Sequence, residues 1–134
     1  MVLAVVMKMA KPSREGQEQA AVIEWSLLYP ELRWLHSSLN GAFLAGNNRV
    51  ERAKRWGILK KQGAKTGVHD LFLPVVRQPY HGLYIEMKNP ETRSGLSSDQ
   101  IDFRDHCEEQ GYKMVTCWTA GEAICAIQRY MGWQ

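Results

Sequence analysis

Apolar residues along this chain change their spacing from one stretch to the next, and each change marks an element. Ala21, Val22, Trp25 and Leu28 recur with the period of a helix face, which predicts a helix over 14–28. Ser13 suits its N-cap, and Glu15 sits in the first turn, where the helix dipole favours an acid. Tyr29-Pro30 ends it. Glu31 to Leu35 is a short mixed run with strand character, and Ser37-Ser38-Leu39-Asn40-Gly41 reads as a turn. Asn47 to Gln62 predicts a second helix, closed by Gly63. Asp70–Val76 and Leu83–Met87 read as two strands joined by the turn-rich Arg77-Gln78-Pro79-Tyr80-His81-Gly82. Ser97 opens a third helix that stops before Gly111, and Tyr112–Trp118 is a third strand. Thr119 caps a last helix reaching about Tyr130, with Ala123, Ile124 and Ile127 as its buried face. Helices flanking a small mixed β-sheet, an α/β fold, is the economical packing of that order.

A length of 134 residues, with no repeat or linker, predicts one domain. The net charge of +3 permits a polyanionic partner without requiring one. Cys107, Cys117 and Cys125 form no C-x-x-C pair and read as reduced thiols. His36, His69, His81 and His106 lack zinc-site spacing. The apolar start, Met1 to Met7, is too short to span a membrane and is followed, not preceded, by Lys8 and Lys11, the wrong order for a signal peptide. It could precede the true start codon at Met7 or Met9, or pack as an extra strand. A cytoplasmic protein without a membrane partner is the expectation.

The candidate chemistry lies in Asp70 and in Glu86-Met87-Lys88. Strand side chains alternate faces, so Glu86 and Lys88 point one way and Met87 points into the core. Taken singly, each has an ordinary explanation: Asp70 as a turn residue, Glu86 and Lys88 as charges that guard an edge strand. If Asp70 begins the neighbouring strand, one sheet end gathers two carboxylates and an ammonium. Two hard oxygen ligands can hold Mg²⁺ with several waters kept, and such an ion can activate water against a phosphodiester. Arg49, Arg52, Arg55, Lys60, Lys61 and Lys65 lie on or just after the second helix and are candidates for phosphate contacts. Ala53, Trp56 and Leu59 would dock that helix, with Trp56 in the core. Ser97-x-x-Gln100 has the form of a capping box, which gives Gln100 a structural reading beside any functional one.

Gly67-x-x-Asp70-Leu-x-Leu-Pro74, Tyr80-His81-Gly82-Leu83-Tyr84-Ile85-Glu86-Met87-Lys88, Ser98-x-Gln100 and Gly111-Tyr112 together closely resemble the VRR-NUC domain of the PD-(D/E)XK nuclease superfamily. The resemblance runs from about Glu15 to Tyr130 and implies a restriction-endonuclease-like core. It divides the chain into an N-terminal extension (1–12) and a single nuclease domain (13–134), stand-alone and of a phage or bacterial type. Asp70, Glu86, the Met87 backbone carbonyl and a first-helix Glu would hold Mg²⁺ (or Mn²⁺), and Lys88 would serve the attacking water. The family's Glu-x-x-x-Gln pattern matches Glu15 and Gln19, with Glu18 as the rival; Gln100 matches a helix glutamine that reaches toward the site.

What the resemblance implies for function is a metal-dependent DNA endonuclease, a homodimer acting on branched DNA such as four-way (Holliday) junctions. Trp34, Leu35, Phe43 and Leu44 are the interface candidates. The alternative is a DNA-binding module of the same fold without catalysis. Two departures stand out. His69 replaces the superfamily's Pro and reads as an exposed loop residue, and Asn40-Gly41 lacks the Pro that precedes it in many relatives.

Overall fold

The computed structural model of the chain describes residues 13–38 and 48–133. Its elements are α1 (Arg14–Ser26), a 3-10 turn (Pro30–Leu32), β1 (His36–Ser37), α2 (Arg49–Lys61), β2 (Leu71–Leu73), β3 (Leu83–Met87), α3 (Ser98–Glu109), β4 (Lys113–Cys117) and α4 (Ala120–Met131). The strands form one mixed sheet in the order β1-β2-β3-β4. The β1–β2 and β2–β3 ladders are antiparallel, and β3–β4 is parallel. A parallel pair needs a crossover, and α3 supplies it. The 1–12 extension, the Leu39-Asn40-Gly41 part of the expected turn, and Phe43 and Leu44 lie outside the described residues.

The strand period of two separates the sheet into an aliphatic face and an aromatic one. Leu71, Leu73, Leu83, Ile85, Met87 and Cys117 are buried in one aliphatic core with Val22 of α1 and Ala123 and Ile127 of α4. On the other face Phe72, Tyr84 and Tyr112 cluster with Phe103 of α3: the Phe72–Tyr84, Tyr84–Phe103 and Tyr84–Tyr112 ring centroids are 4.4, 5.1 and 5.7 Å apart. Glu86 shares strand parity with Tyr84, so it continues the aromatic face toward the end of the sheet.

Several sequence expectations change here. Glu31–Leu35 is not a strand: Pro30 opens a 3-10 turn, and Leu32 and Leu35 fold back into the core. Leu35 therefore belongs to the core and not to an interface, whereas Trp34 beside it is 65% exposed. The expected turn instead begins with β1, whose His36 and Ser37 pair with Phe72 and Leu71. β2 stops at Leu73 because Pro74 has no N–H to continue a ladder. α1 ends at Ser26, leaving Leu28 72% exposed. No residue of α2 is buried; Ala53 is exposed, and Trp56 and Leu59 are only half-buried. Arg49, Arg52, Lys54, Arg55, Lys60 and Lys61 surround so much of this helix that its apolar stripe is too narrow to seat it in a core.

The loop between α2 and β2 turns at Gly67, whose φ is +91°. A Cβ there would lie 2.4 Å from the Asp99 carbonyl oxygen, so the turn packs directly on the first turn of α3. Both the backbone sign and the space require glycine. Gly67→Ala is expected to destabilise the fold by about 1–3 kcal/mol. The check is a lower urea midpoint at unchanged slope; a wild-type midpoint would contradict it.

Candidate active site

The last β2–β3 pair is Leu71 with Ile85. One further step of the same antiparallel register sets Asp70 opposite Glu86. Two backbone contacts secure Asp70: its carbonyl accepts from the Ser38 N–H at 2.8 Å, and its Oδ2 accepts from the Met87 N–H at 2.7 Å. Lys88 follows two residues after Glu86, and its N–H donates to the Cys117 carbonyl at 2.8 Å, extending the β3–β4 ladder.

Gln100 joins these residues to α3. Ser97 and Gln100 form a reciprocal capping box, the Gln100 N–H donating to Ser97 Oγ at 3.2 Å and the Ser97 N–H to Gln100 Oε1 at 2.9 Å. The same Oε1 accepts from Lys88 Nζ at 2.7 Å, and Gln100 Nε2 donates to Glu86 Oε2 at 2.9 Å. The capping and site readings of this residue are therefore compatible, because the cap faces the cleft. Lys88 Nζ lies 3.8 Å from Glu86 Oε2.

A cavity of about 310 Å³ opens here, lined by Glu15 and Gln19 of α1, by Asp70, Glu86, Met87 and Lys88, and by Gln100. The Met87 side chain is buried in the aliphatic core, so Met87 meets the cavity through its backbone. Glu18 is turned elsewhere: its Oε1 accepts from the Ala120 N–H at 3.1 Å, and it caps α4 beside Thr119. Among the described residues, no three His, Cys, Asp or Glu side chains form a cluster able to hold a metal, so Glu15 lines the cavity without completing a three-carboxylate set.

The electrostatics follow from burial. Desolvation, and then the charge of Asp70, push the Glu86 carboxyl up to about 8, against the pull of Lys88. Desolvation also raises Asp70, and the charge of Glu15 adds to it, while the Met87 N–H holds it down. Glu86 Oε1 is buried and has no hydrogen-bond partner. A buried carboxyl with an orphaned oxygen beside a half-buried one fits a hard divalent cation, which would relieve both desolvation and repulsion. Mg²⁺ is typically held by only one or two carboxylates, with water and phosphate oxygens completing its shell.

His69 corrects its sequence reading. It is 1% exposed, with its ring 5.4 Å from that of Phe103. Burial is the main reason its pKa falls to about 4, and the charges of Lys88 and Arg104 push the same way. Its Nδ1 lies 3.8 Å from Glu86 Oε1, and neither atom has a hydrogen-bond partner. No local signal in the sequence marks this burial, since it depends on Phe103 arriving from α3. Arg49, Arg52, Arg55, Lys60, Lys61 and Lys65 are all exposed and stand outside the cavity lining. No described helix is long and apolar enough to cross a membrane.

No family model matches the chain, and no curated protein matches it. A solved structure described as a VRR_NUC domain protein does match, with a TM-score of 0.71 and 25% identity, over 92% of this chain and 92% of that one. The fold is thus VRR-NUC-like, a mixed four-stranded sheet flanked by helices.

The Glu86 shift carries a sign. In the fold its carboxyl keeps a proton up to about 8, whereas the ordinary carboxyl loses it near 4.5. Between those values the folded chain holds a proton that the unfolded chain lacks, so stability falls as pH rises. The metal-free protein is expected to lose at most about 1.4 kcal/mol per pH unit across this window from that one proton. Glu86→Gln should flatten the slope. Denaturation curves at several pH values in chelator check this, and an unchanged slope in the variant would contradict it.

Proposed function

We propose that this chain is a metal-dependent DNA endonuclease of the PD-(D/E)XK type, hydrolysing phosphodiester bonds. The observation that carries the reading is the convergence of Asp70, Glu86, Lys88 and Gln100 on one cavity, within a VRR-NUC-like fold. Asp70, Glu86 and the Met87 carbonyl are the groups that would hold Mg²⁺ or Mn²⁺, with Glu15 on the same cavity wall able to reach it through water. When bound, such an ion supplies an acidified water and neutralises charge on the phosphoryl oxygens.

The chain's own residues do the remaining work. Gln100 Oε1 holds the Lys88 ammonium in place, so its charge and donors orient the attacking water and offset the negative charge on the phosphoryl oxygens. Gln100 Nε2 holds Glu86 in one rotamer. Arg49, Arg52 and Arg55, with Lys60, Lys61 and Lys65, track phosphates without reading sequence. Branched DNA such as four-way junctions, cut by a homodimer with one site per strand, is the finer form of the proposal. It rests on the sequence resemblance and on the symmetry that paired incisions require.

The test is a cleavage panel of linear duplex, single strand, flap and four-way junction with Mg²⁺ or Mn²⁺. Asp70→Ala, Glu86→Ala and Lys88→Ala are each expected to lower cleavage by about 100-fold or more while circular dichroism stays native. Chelator should abolish cleavage. Adding the ion at about 100 times its Kd should stabilise the wild type by about 2.7 kcal/mol, and Asp70→Ala much less. Wild-type-like cutting by any of the three variants would overturn the assignment. Folded protein that binds DNA but cuts nothing would instead mark a non-catalytic DNA-binding module.

A further inference from the structure

A second cavity, of about 440 Å³, lies between the start of β3, the start of β4, the 77–80 turn and the second half of α4. It cannot be part of the acidic site. Leu83 pairs with Lys113 and Ile85 with Val115, so the Lys113 and Val115 side chains share the face of the aliphatic core. Glu86 points to the opposite face, and at the opposite end of β3.

The lining combines two kinds of surface. Arg77, Lys113 and Arg129 all reach it, and no carboxylate does among the described lining residues. Its walls are the rings of Tyr80 and Tyr130 over an aliphatic floor that includes Leu83 and Val115. These walls are held in place. The Tyr130 hydroxyl donates to the Val75 carbonyl at 2.6 Å. The 77–80 turn is closed by hydrogen bonds from the Arg77 N–H to the Tyr80 carbonyl and from the Tyr80 N–H to the Arg77 carbonyl. Lys113 Nζ sits 5.5 Å from the Tyr80 ring centroid, which fixes its charge beside the aromatic wall.

Three cations lining one cavity, with no carboxylate among its described lining residues, favour a dianion, and guanidinium groups suit phosphate in particular. Phosphate alone leaves the aromatic and aliphatic walls unused. We propose that this cavity is a binding site for one nucleotide, the phosphate on Arg77, Lys113 and Arg129 and the base against the tyrosine rings. Its volume lies in the range of small-molecule sites. The nucleotide comes either free or as the 5′-phosphorylated end of a strand. The site works without the acidic centre, so its test is separate from any cleavage assay.

The test uses the full chain in chelator at low salt, with Asp70→Asn as background to exclude turnover. Deoxyadenosine monophosphate is expected to raise the melting temperature and to shift the methyl resonances of Val115 and Ala126. Deoxyadenosine alone and inorganic phosphate alone should bind at least about tenfold more weakly. Lys113→Gln with Arg129→Gln, both exposed positions, should weaken the nucleotide at least about tenfold at an unchanged ligand-free melting temperature. Arg77→Gln should weaken it in the same direction and serves if the double variant does not fold. Displacement by a 5′-phosphorylated single-stranded oligonucleotide assigns the strand end; binding of the mononucleotide alone assigns the free form. The proposal falls if phosphate binds as well as the nucleotide, if the variants bind like the parent, or if the shifted methyls lie elsewhere.

Discussion

The antiparallel register between β2 and β3 is the constraint on which the candidate site depends. Leu71 opposite Ile85 buries both in the aliphatic core, and a slip of β2 by one residue would turn its leucines toward the aromatic face. That burial therefore also decides which residue meets Glu86. Asp70 is the next residue out, and the Met87 N–H that would otherwise be unpaired there is taken by its carboxylate. Packing of two ordinary apolar side chains thus sets two acids against each other, and the charge of Asp70 opposes the ionisation of Glu86.

Gln100 links that strained pair to the rest of the fold. One side chain completes the N-cap of α3, holds the Lys88 ammonium and donates to Glu86. The helix start, the cation and the acid consequently share one fixed point. Gly67, pressed against Asp99 in the same first turn of α3, holds the chain leading into Asp70 from the other side. Local stability and site geometry are the same contacts here, so disturbance of the α3 N-terminus is transmitted to the site directly.

The two faces of the sheet carry different chemistry. The aromatic face ends in the Asp70 and Glu86 carboxyls, while the aliphatic face ends, at the other extremity, in a cavity with three cations and two tyrosines. Their separation follows from strand parity and from the parallel β3–β4 pairing, which aligns Leu83 with Lys113 at one end and Met87 with Cys117 at the other.

Much of this was legible in the residues. Helical spacing, caps at Ser13, Ser97 and Thr119, and two alternating strands located most elements, because those signals are local. That Glu86 and Lys88 share a face was legible for the same reason, side-chain parity in a strand being a property of the chain itself, whereas setting Asp70 opposite Glu86 took the β2–β3 register. Other features needed partners distant in sequence. β1 pairs with the edge that β2 offers; Glu18 bonds the Ala120 N–H that α4 presents; His69 is buried with its ring against Phe103 of α3. Periodicity reports which way a side chain points along its own element, whereas burial and hydrogen bonding depend on what the folded chain places against it.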